Sequence, residues 1–69
     1  MWDGVAARHV APADVLELAA RRLRVAARHY HDRNVSDGCD DAWAAYRHVR
    51  MAIQQMNSIA VVHVSMGST

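Results

Sequence analysis

Apolar residues recur at alternating intervals of three and four residues in two stretches of this chain, and no other feature constrains its fold as strongly. The two series are Leu16, Ala19, Leu23, Ala26 and Tyr30, and Ala42, Tyr46, Val49, Ile53 and Met56. This spacing places each series along one face of an α-helix, where it can pack against another helix. The sequence therefore predicts two amphipathic helices and an all-α fold.

Capping and turn residues set the predicted ends of the helices. Pro12 suits the first helical position, where its missing N–H is not needed, and residues 32–39 are rich in residues that favour turns and caps. Ser36 or Asp37 is expected to cap the second helix. We therefore predict one small domain that spans residues 1–69 and comprises an N-terminal arm (1–11), helix 1 (12–31), a turn (32–39), helix 2 (40–58) and an apolar tail (59–69).

The short connection predicts that the two helices form an antiparallel hairpin. Folding the chain back through this turn matches large residues with small ones, which is how helices interdigitate without voids. The predicted pairs are Tyr30 with Ala42, Ala26 with Tyr46, Leu23 with Val49, Ala19 with Ile53, and Leu16 with Met56. These residues form the predicted core of the hairpin.

The apolar tail is compatible with two structures. Its residues after Ile59 are largely β-branched and alternate in polarity, which favours a short C-terminal β-strand. Such a strand can pair with the N-terminal arm, which emerges at the same end of the hairpin, although an isolated two-stranded ribbon has little stability in water. The alternative extends helix 2 through Val64, and the strand is the preferred prediction.

A chain of 69 residues has little core, so association with another chain is the expected source of its stability. Cores of this size supply only about 3–5 kcal/mol, and the single cysteine, Cys39, excludes a disulfide within the chain. Apolar residues beside the predicted core would stay exposed in an isolated hairpin. We expect them to form the interface of a homo-oligomer, either a four-helix bundle of two hairpins or a larger assembly. The predicted interface residues are Val15, Leu18, Val25 and Trp43.

The sequence contains no arrangement of residues typical of an enzyme. It lacks a Ser/His/Asp order, paired glutamates and a glycine-rich phosphate loop. Acidic residues surround Cys39 and oppose formation of a thiolate. His29, His31 and Asp32 lie near the turn with Cys39, but their spacing does not match a zinc site, and the turn lacks the glycine and glutamate that a calcium loop requires. We predict a non-enzymatic protein with no cofactor and no metal.

Arginines are concentrated on helix 1 and form a candidate surface for phosphates or for a protein partner. The residues of this surface are Arg21, Arg24, Arg28 and Arg33. The net charge of the whole chain is only +1, and the helix dipole by itself favours arginine towards the C-terminal end of a helix. No base-reading motif accompanies the arginines. A small nucleic-acid-binding regulator is therefore the alternative hypothesis.

The first hypothesis is a small protein–protein interaction or assembly module, of the kind found among bacterial and phage accessory proteins. It would act as a homo-oligomer and bind another protein through its exposed surfaces. Trp2 is either disordered with the arm or an anchor against a neighbouring chain. No apolar run is long enough to span a membrane, and the first residues lack the pattern of a signal peptide, so a cytoplasmic location is expected.

Overall fold

Two long helices pack side by side and make up nearly the whole structure. The computed structural model describes residues 2–67, with side chains described as far as Val61. The first helix, α1, spans Trp2–His31, and the second, α2, spans Val35–Gly67. They run antiparallel as a rod of 55 × 18 × 11 Å. The prediction of an all-α helical hairpin is confirmed.

The predicted N-terminal arm is wrong for the described residues, because α1 begins at Trp2 and continues through Pro12. Proline inside a helix removes one hydrogen bond, here the one to the carbonyl of Arg8. The helix tolerates this loss because the Pro12 ring is buried against α2. Burial therefore outweighs the local preference of proline for a helix start.

The end of α1 is closed by a left-handed residue at Arg33, whose φ is 63°. The amide of Asn34 donates to the carbonyl of His29 at 2.7 Å, and the amide of Arg33 donates to the carbonyl of Tyr30 at 3.0 Å. This pair of bonds is the Schellman pattern, in which the left-handed position is usually glycine. The connection is much shorter than the predicted turn at 32–39, because α2 already begins at Val35.

Asn34 caps α2, and the predicted caps at Ser36 or Asp37 are wrong. The amide oxygen of Asn34 accepts a hydrogen bond from the backbone N–H of Asp37 at 3.4 Å. Its Nδ2 donates to the Asp37 carboxylate at 2.6 Å. Asp37 therefore lies in the first turn of α2, where its charge also interacts favourably with the helix dipole.

The left-handed Arg33 leads to a stability prediction. Arg33→Gly should stabilise the hairpin by up to about 1 kcal/mol, because glycine adopts a positive φ without the steric cost that a side chain brings. The measurement is urea or thermal unfolding at a fixed protein concentration. Arg33→Ala is the matched control, since it removes the same charged side chain but keeps the strain. Equal stability of the glycine and alanine variants would contradict the prediction.

The predicted C-terminal strand is wrong over the described residues, because the backbone stays helical to Gly67. Gly38, Ala45, Ala52 and Ile59 are all buried and follow one another at seven-residue intervals. Ile59 therefore extends the buried row of α2 beyond the predicted end of the helix at residue 58. Contact with α1 outweighs the β-propensity of the valines that follow. The open alternative, a longer second helix, is the one that the structure shows.

Small residues form the seam between the helices, defined here as the buried row of each helix. The seam residues are Pro12, Ala19 and Ala26 on α1, and Gly38, Ala45, Ala52 and Ile59 on α2. Small side chains allow helix axes to approach closely, towards the lower end of the usual separation of about 8–10 Å. The predicted core is therefore wrong in most of its members. Ala19 and Ala26 are buried, but large residues such as Leu23 and Ile53 are exposed.

The register of the hairpin follows from contacts near the turn. Asp41 contacts both Arg22 and His29, so it lies at a level between them. Counting away from this level in an antiparallel pair places Ala52 opposite Val15 and Cys39 opposite Arg28. Arg8 and Ala11 line one groove with Ile59 at the open end of the hairpin, which agrees with this register. The predicted pairing is displaced from it by more than one helical turn.

Candidate interaction surface

Many of the large apolar side chains lie on one side of the hairpin and not between the helices. This surface, called the apolar face, consists of Leu16, Leu23 and Tyr30 on α1 and Tyr46, Val49, Ile53 and Met56 on α2. Val49 is half-buried, and the other six are 39–52% exposed. Side chains of this size rarely remain exposed together on a soluble monomer. The apolar face is therefore the leading candidate for an interaction surface.

Helix geometry explains why both helices contribute to the same side. Leu16, Leu23 and Tyr30 each follow a seam residue of α1 by four positions, and Val49 and Met56 have the same relation to the seam of α2. In an antiparallel pair, positions with the same offset from the seam flank it on the same side. Near the turn, Tyr30 of α1 lines one groove together with Tyr46 of α2, as this geometry requires.

The apolar face carries no charged side chain. The residues interspersed among its large members are also uncharged: Ala13, Ala20, Ala27, Cys39 and Ala42. The opposite side differs, because its exposed Leu18 lies in a shallow depression with Asp14, Glu17 and Arg21. Of the two sides, the apolar face is the less charged, and Arg50, whose guanidinium lies over the Tyr46 ring, stands at its edge.

Aromatic residues gather at the turn end of the apolar face. The rings of Trp43 and Tyr46 are stacked with centroids 5.3 Å apart, and the guanidinium of Arg50 lies 5.9 Å from the Tyr46 centroid. These residues, with Tyr30, Cys39 and Ala42, line an open groove of about 500 Å³, called the aromatic groove. A groove of this size and composition is suited to a large apolar side chain.

Tyr30 is held against the first turn of α2. A Cβ added at Gly38 would lie 3.0 Å from three atoms of the tyrosine ring, so glycine is the residue that permits this approach. The Tyr30 hydroxyl donates to Cys39 Sγ at 3.2 Å. This hydrogen bond, together with desolvation, raises the pKa of Tyr30 above its usual value of 10.0. Both causes favour the neutral phenol, which is the form that donates to the thiol.

A buried carboxylate joins the two helices on the seam side of the same end. Asp41 is only 7% exposed. Its Oδ1 accepts a hydrogen bond from Arg22 Nη1 at 2.9 Å, and its Oδ2 lies 3.3 Å from His29 Nε2. Charge-assisted bonds of this kind fix geometry more than they add stability when one partner is half exposed, as Arg22 is. The cluster therefore ties α2 to α1 at this level of the hairpin.

The structure separates the four residues of the predicted interface. Val15 and Val25 are half-buried, and Leu18 lies on the side away from the apolar face. Trp43 instead lines the aromatic groove, next to Tyr46. The sequence analysis had assigned most of the apolar face to the hairpin core. The seven-residue spacing of small residues on each helix was the signal that could have identified the true seam.

The candidate arginine surface is exposed but not purely basic. Arg21, Arg24 and Arg28 lie along the outer side of α1, while Arg33 lies in the turn. The same side of α1 carries the acidic residues Asp14 and Glu17 towards the open end. The neighbouring Arg22 side chain is directed towards Asp41 instead.

Comparison of the chain with protein families, curated proteins and solved structures gives no match. Among the described residues, neither helix has a segment long and apolar enough to cross a bilayer. Within the same part of the chain, no three metal-ligating side chains lie close enough together to hold an ion.

Proposed function

We propose that this chain is a non-enzymatic assembly module that acts as a homo-oligomer, with two hairpins joined through their apolar faces into a four-helix bundle. One observation carries the proposal. Six large apolar residues from the two helices are exposed together on the apolar face, while the hairpin buries mainly alanine between its helices. Burial of such residues is the dominant favourable term in most protein association.

The surface area of the chain supports a dimer of standard size. The accessible surface is 5284 Å², whereas a compact monomer of this mass exposes about 4,300 Å². The excess is about 1,000 Å² per chain, so two chains that covered it would bury about 2,000 Å² in total. Stable and specific interfaces bury about 1,200–2,000 Å². The excess surface of one hairpin thus corresponds to one interface with a second hairpin.

A second copy of the chain is the partner that the apolar face fits best. An interface around a two-fold axis brings a surface against itself, so a face with charges of a single sign would repel its own copy. The apolar face avoids this repulsion because none of its residues is charged. The exposed arginines of α1 would remain on the outside of such a bundle, available to another protein.

The test is the native mass of the full chain, measured by light scattering or sedimentation over a range of concentrations and salt. We expect twice the 7.7 kDa chain mass, or a larger multiple, with no weakening at high salt because apolar contacts are not screened. A 7.7 kDa species at every concentration would refute the proposal. Adding bulk DNA or RNA tests the alternative: assembly only with nucleic acid, lost as salt rises, would favour the phosphate-binding function.

A further inference from the structure

Trp2 lies on the apolar side of α1 at the end of the hairpin farthest from the turn. It is 70% exposed, more than any other large apolar side chain described. It belongs to the row of α1 that continues through His9, Leu16, Leu23 and Tyr30 at seven-residue intervals. The aromatic groove of its own hairpin lies about 40 Å away along the helices, so Trp2 cannot reach it within one chain.

From these two features we infer that the aromatic groove receives Trp2 of a second copy, so that the two hairpins pair head to tail. The inference rests on the proposed self-association and adds its orientation and its anchor. Each groove of the dimer would be completed by the partner's Trp2, which would pack against Tyr30, Tyr46 and Trp43. Aromatic side chains of this kind commonly dominate the energy of an interface.

The distribution of side-chain size along the apolar face supports the head-to-tail arrangement. The turn end is bulky, with Tyr30, Tyr46 and Trp43. Beyond Leu16, towards the open end, the same side of α1 carries the small residues Ala13 and Ala6 together with His9 before Trp2. Head-to-tail pairing places bulky ends over small ones, which fills space evenly. Pairing in the same direction would oppose the bulky ends to each other and leave a gap between the alanines.

The register of the hairpin is consistent with this contact. Cys39 lies opposite Arg28, and the level midway between residue 28 and Trp2 is close to Leu16. A two-fold axis that lies in the interface at that level, perpendicular to the helices, therefore brings the partner's Trp2 next to Cys39 and Tyr30. The same rotation brings Leu23 over the Ala6 region of the partner chain. A single two-fold axis is therefore consistent with both the Trp2 contact and the distribution of side-chain size along the apolar face.

Cys39 provides a direct test because it lines the aromatic groove and is the single cysteine of the chain. A Trp2→Cys variant of the full chain is oxidised with diamide, and the linked peptides are mapped by mass spectrometry. We expect a covalent dimer in which the introduced thiol is joined to Cys39 of the partner subunit. A link within one chain is excluded, since the two positions are about 40 Å apart and a disulfide requires Cα atoms within about 7 Å.

Val10→Cys is the matched control, because this residue is also exposed near the start of α1 but points away from the apolar face. It should give no link to Cys39. A second measurement leaves Trp2 in place. In the Trp43→Phe variant, Trp2 is the remaining tryptophan. Its fluorescence emission should shift to shorter wavelength in the assembled protein, compared with dilute protein.

The possible results separate the inference from the proposed function. A native dimer that links introduced thiol to introduced thiol, or Cys39 to Cys39, overturns the head-to-tail arrangement and leaves the self-association intact. A native dimer of the Trp2→Cys variant that forms no covalent link also overturns it. A wild-type chain that stays monomeric refutes the self-association, and the inference with it, whereas a Trp2→Cys chain that is monomeric while the wild type is a dimer identifies Trp2 as the anchor.

Discussion

Ala52→Leu should remove a large part of the stability of the hairpin. The Ala52 side chain has no exposed surface, and it lies in the seam opposite Val15. Three additional carbon atoms have no space there unless the helices separate. Overpacking of this kind costs about 1–3 kcal/mol or more, and a small core supplies only about 3–5 kcal/mol in total. The loss should appear as reduced helical circular dichroism and a lower urea midpoint.

Ala7→Leu is the matched control for this substitution, because it adds the same atoms at an exposed position of α1 outside the apolar face. Leucine and alanine are both good helix formers, so the control should unfold like the wild type. Adding Val15→Ala to Ala52→Leu should recover part of the lost stability if the two residues face each other. An Ala52→Leu protein as stable as the control would show that the alanine seam is wrong.

The existence of the two helices could be predicted from sequence, but the face that each presents to the other could not. Large and small apolar residues form neighbouring rows on both helices, and both rows have helical spacing. The sequence analysis placed the large row in the core because burying Leu23 or Ile53 removes more apolar surface from water than burying alanine. That reasoning assumes that all burial occurs within one chain. In the structure the small row is the one that lies between the helices.

The predicted ends of the helices are wrong because packing outweighs local preferences. Pro12 predicts a helix start, and the β-branched residues after Ile59 predict a strand. Both are correct preferences for an isolated segment. In the hairpin, however, Pro12 and Ile59 are buried members of the seam, and packing against the other helix keeps the backbone helical on both sides of them.

The residues of the apolar face can be identified in the sequence as large apolar residues at helical spacing. Whether they belong to the core or to a surface depends on the rotation and register of the two helices. The pairing of Asp41 with Arg22 joins positions that are far apart in the chain, and only the rotation and register of the hairpin bring them together. The same rotation decides which leucines are exposed on which side. Once the seam moves to the alanine rows, the residues predicted to hold the hairpin become the apolar face.

Leu23→Glu should weaken self-association by about 2 kcal/mol or more, which is roughly a 30-fold increase in Kd. Leu23 is 52% exposed in the hairpin and central in the apolar face. The introduced carboxylate would be accommodated in the isolated chain, because the position is open to water and glutamate is nearly as good a helix former as leucine. In the bundle it would be buried among apolar side chains without a partner, which is costly. Sedimentation at several concentrations measures the change.

Leu18→Glu is the matched comparison, because it makes the same substitution on the same helix at a similarly exposed leucine. There the new carboxylate would lie one turn from both Asp14 and Arg22, whose effects on it are opposite in sign. If the apolar face is the interface, this variant should assemble like the wild type. If instead Leu18→Glu dissociates the protein and Leu23→Glu does not, the interface predicted from sequence around Val15, Leu18 and Val25 is the correct one. The pair of variants therefore decides which side of the hairpin meets the second copy, even if both fold equally well.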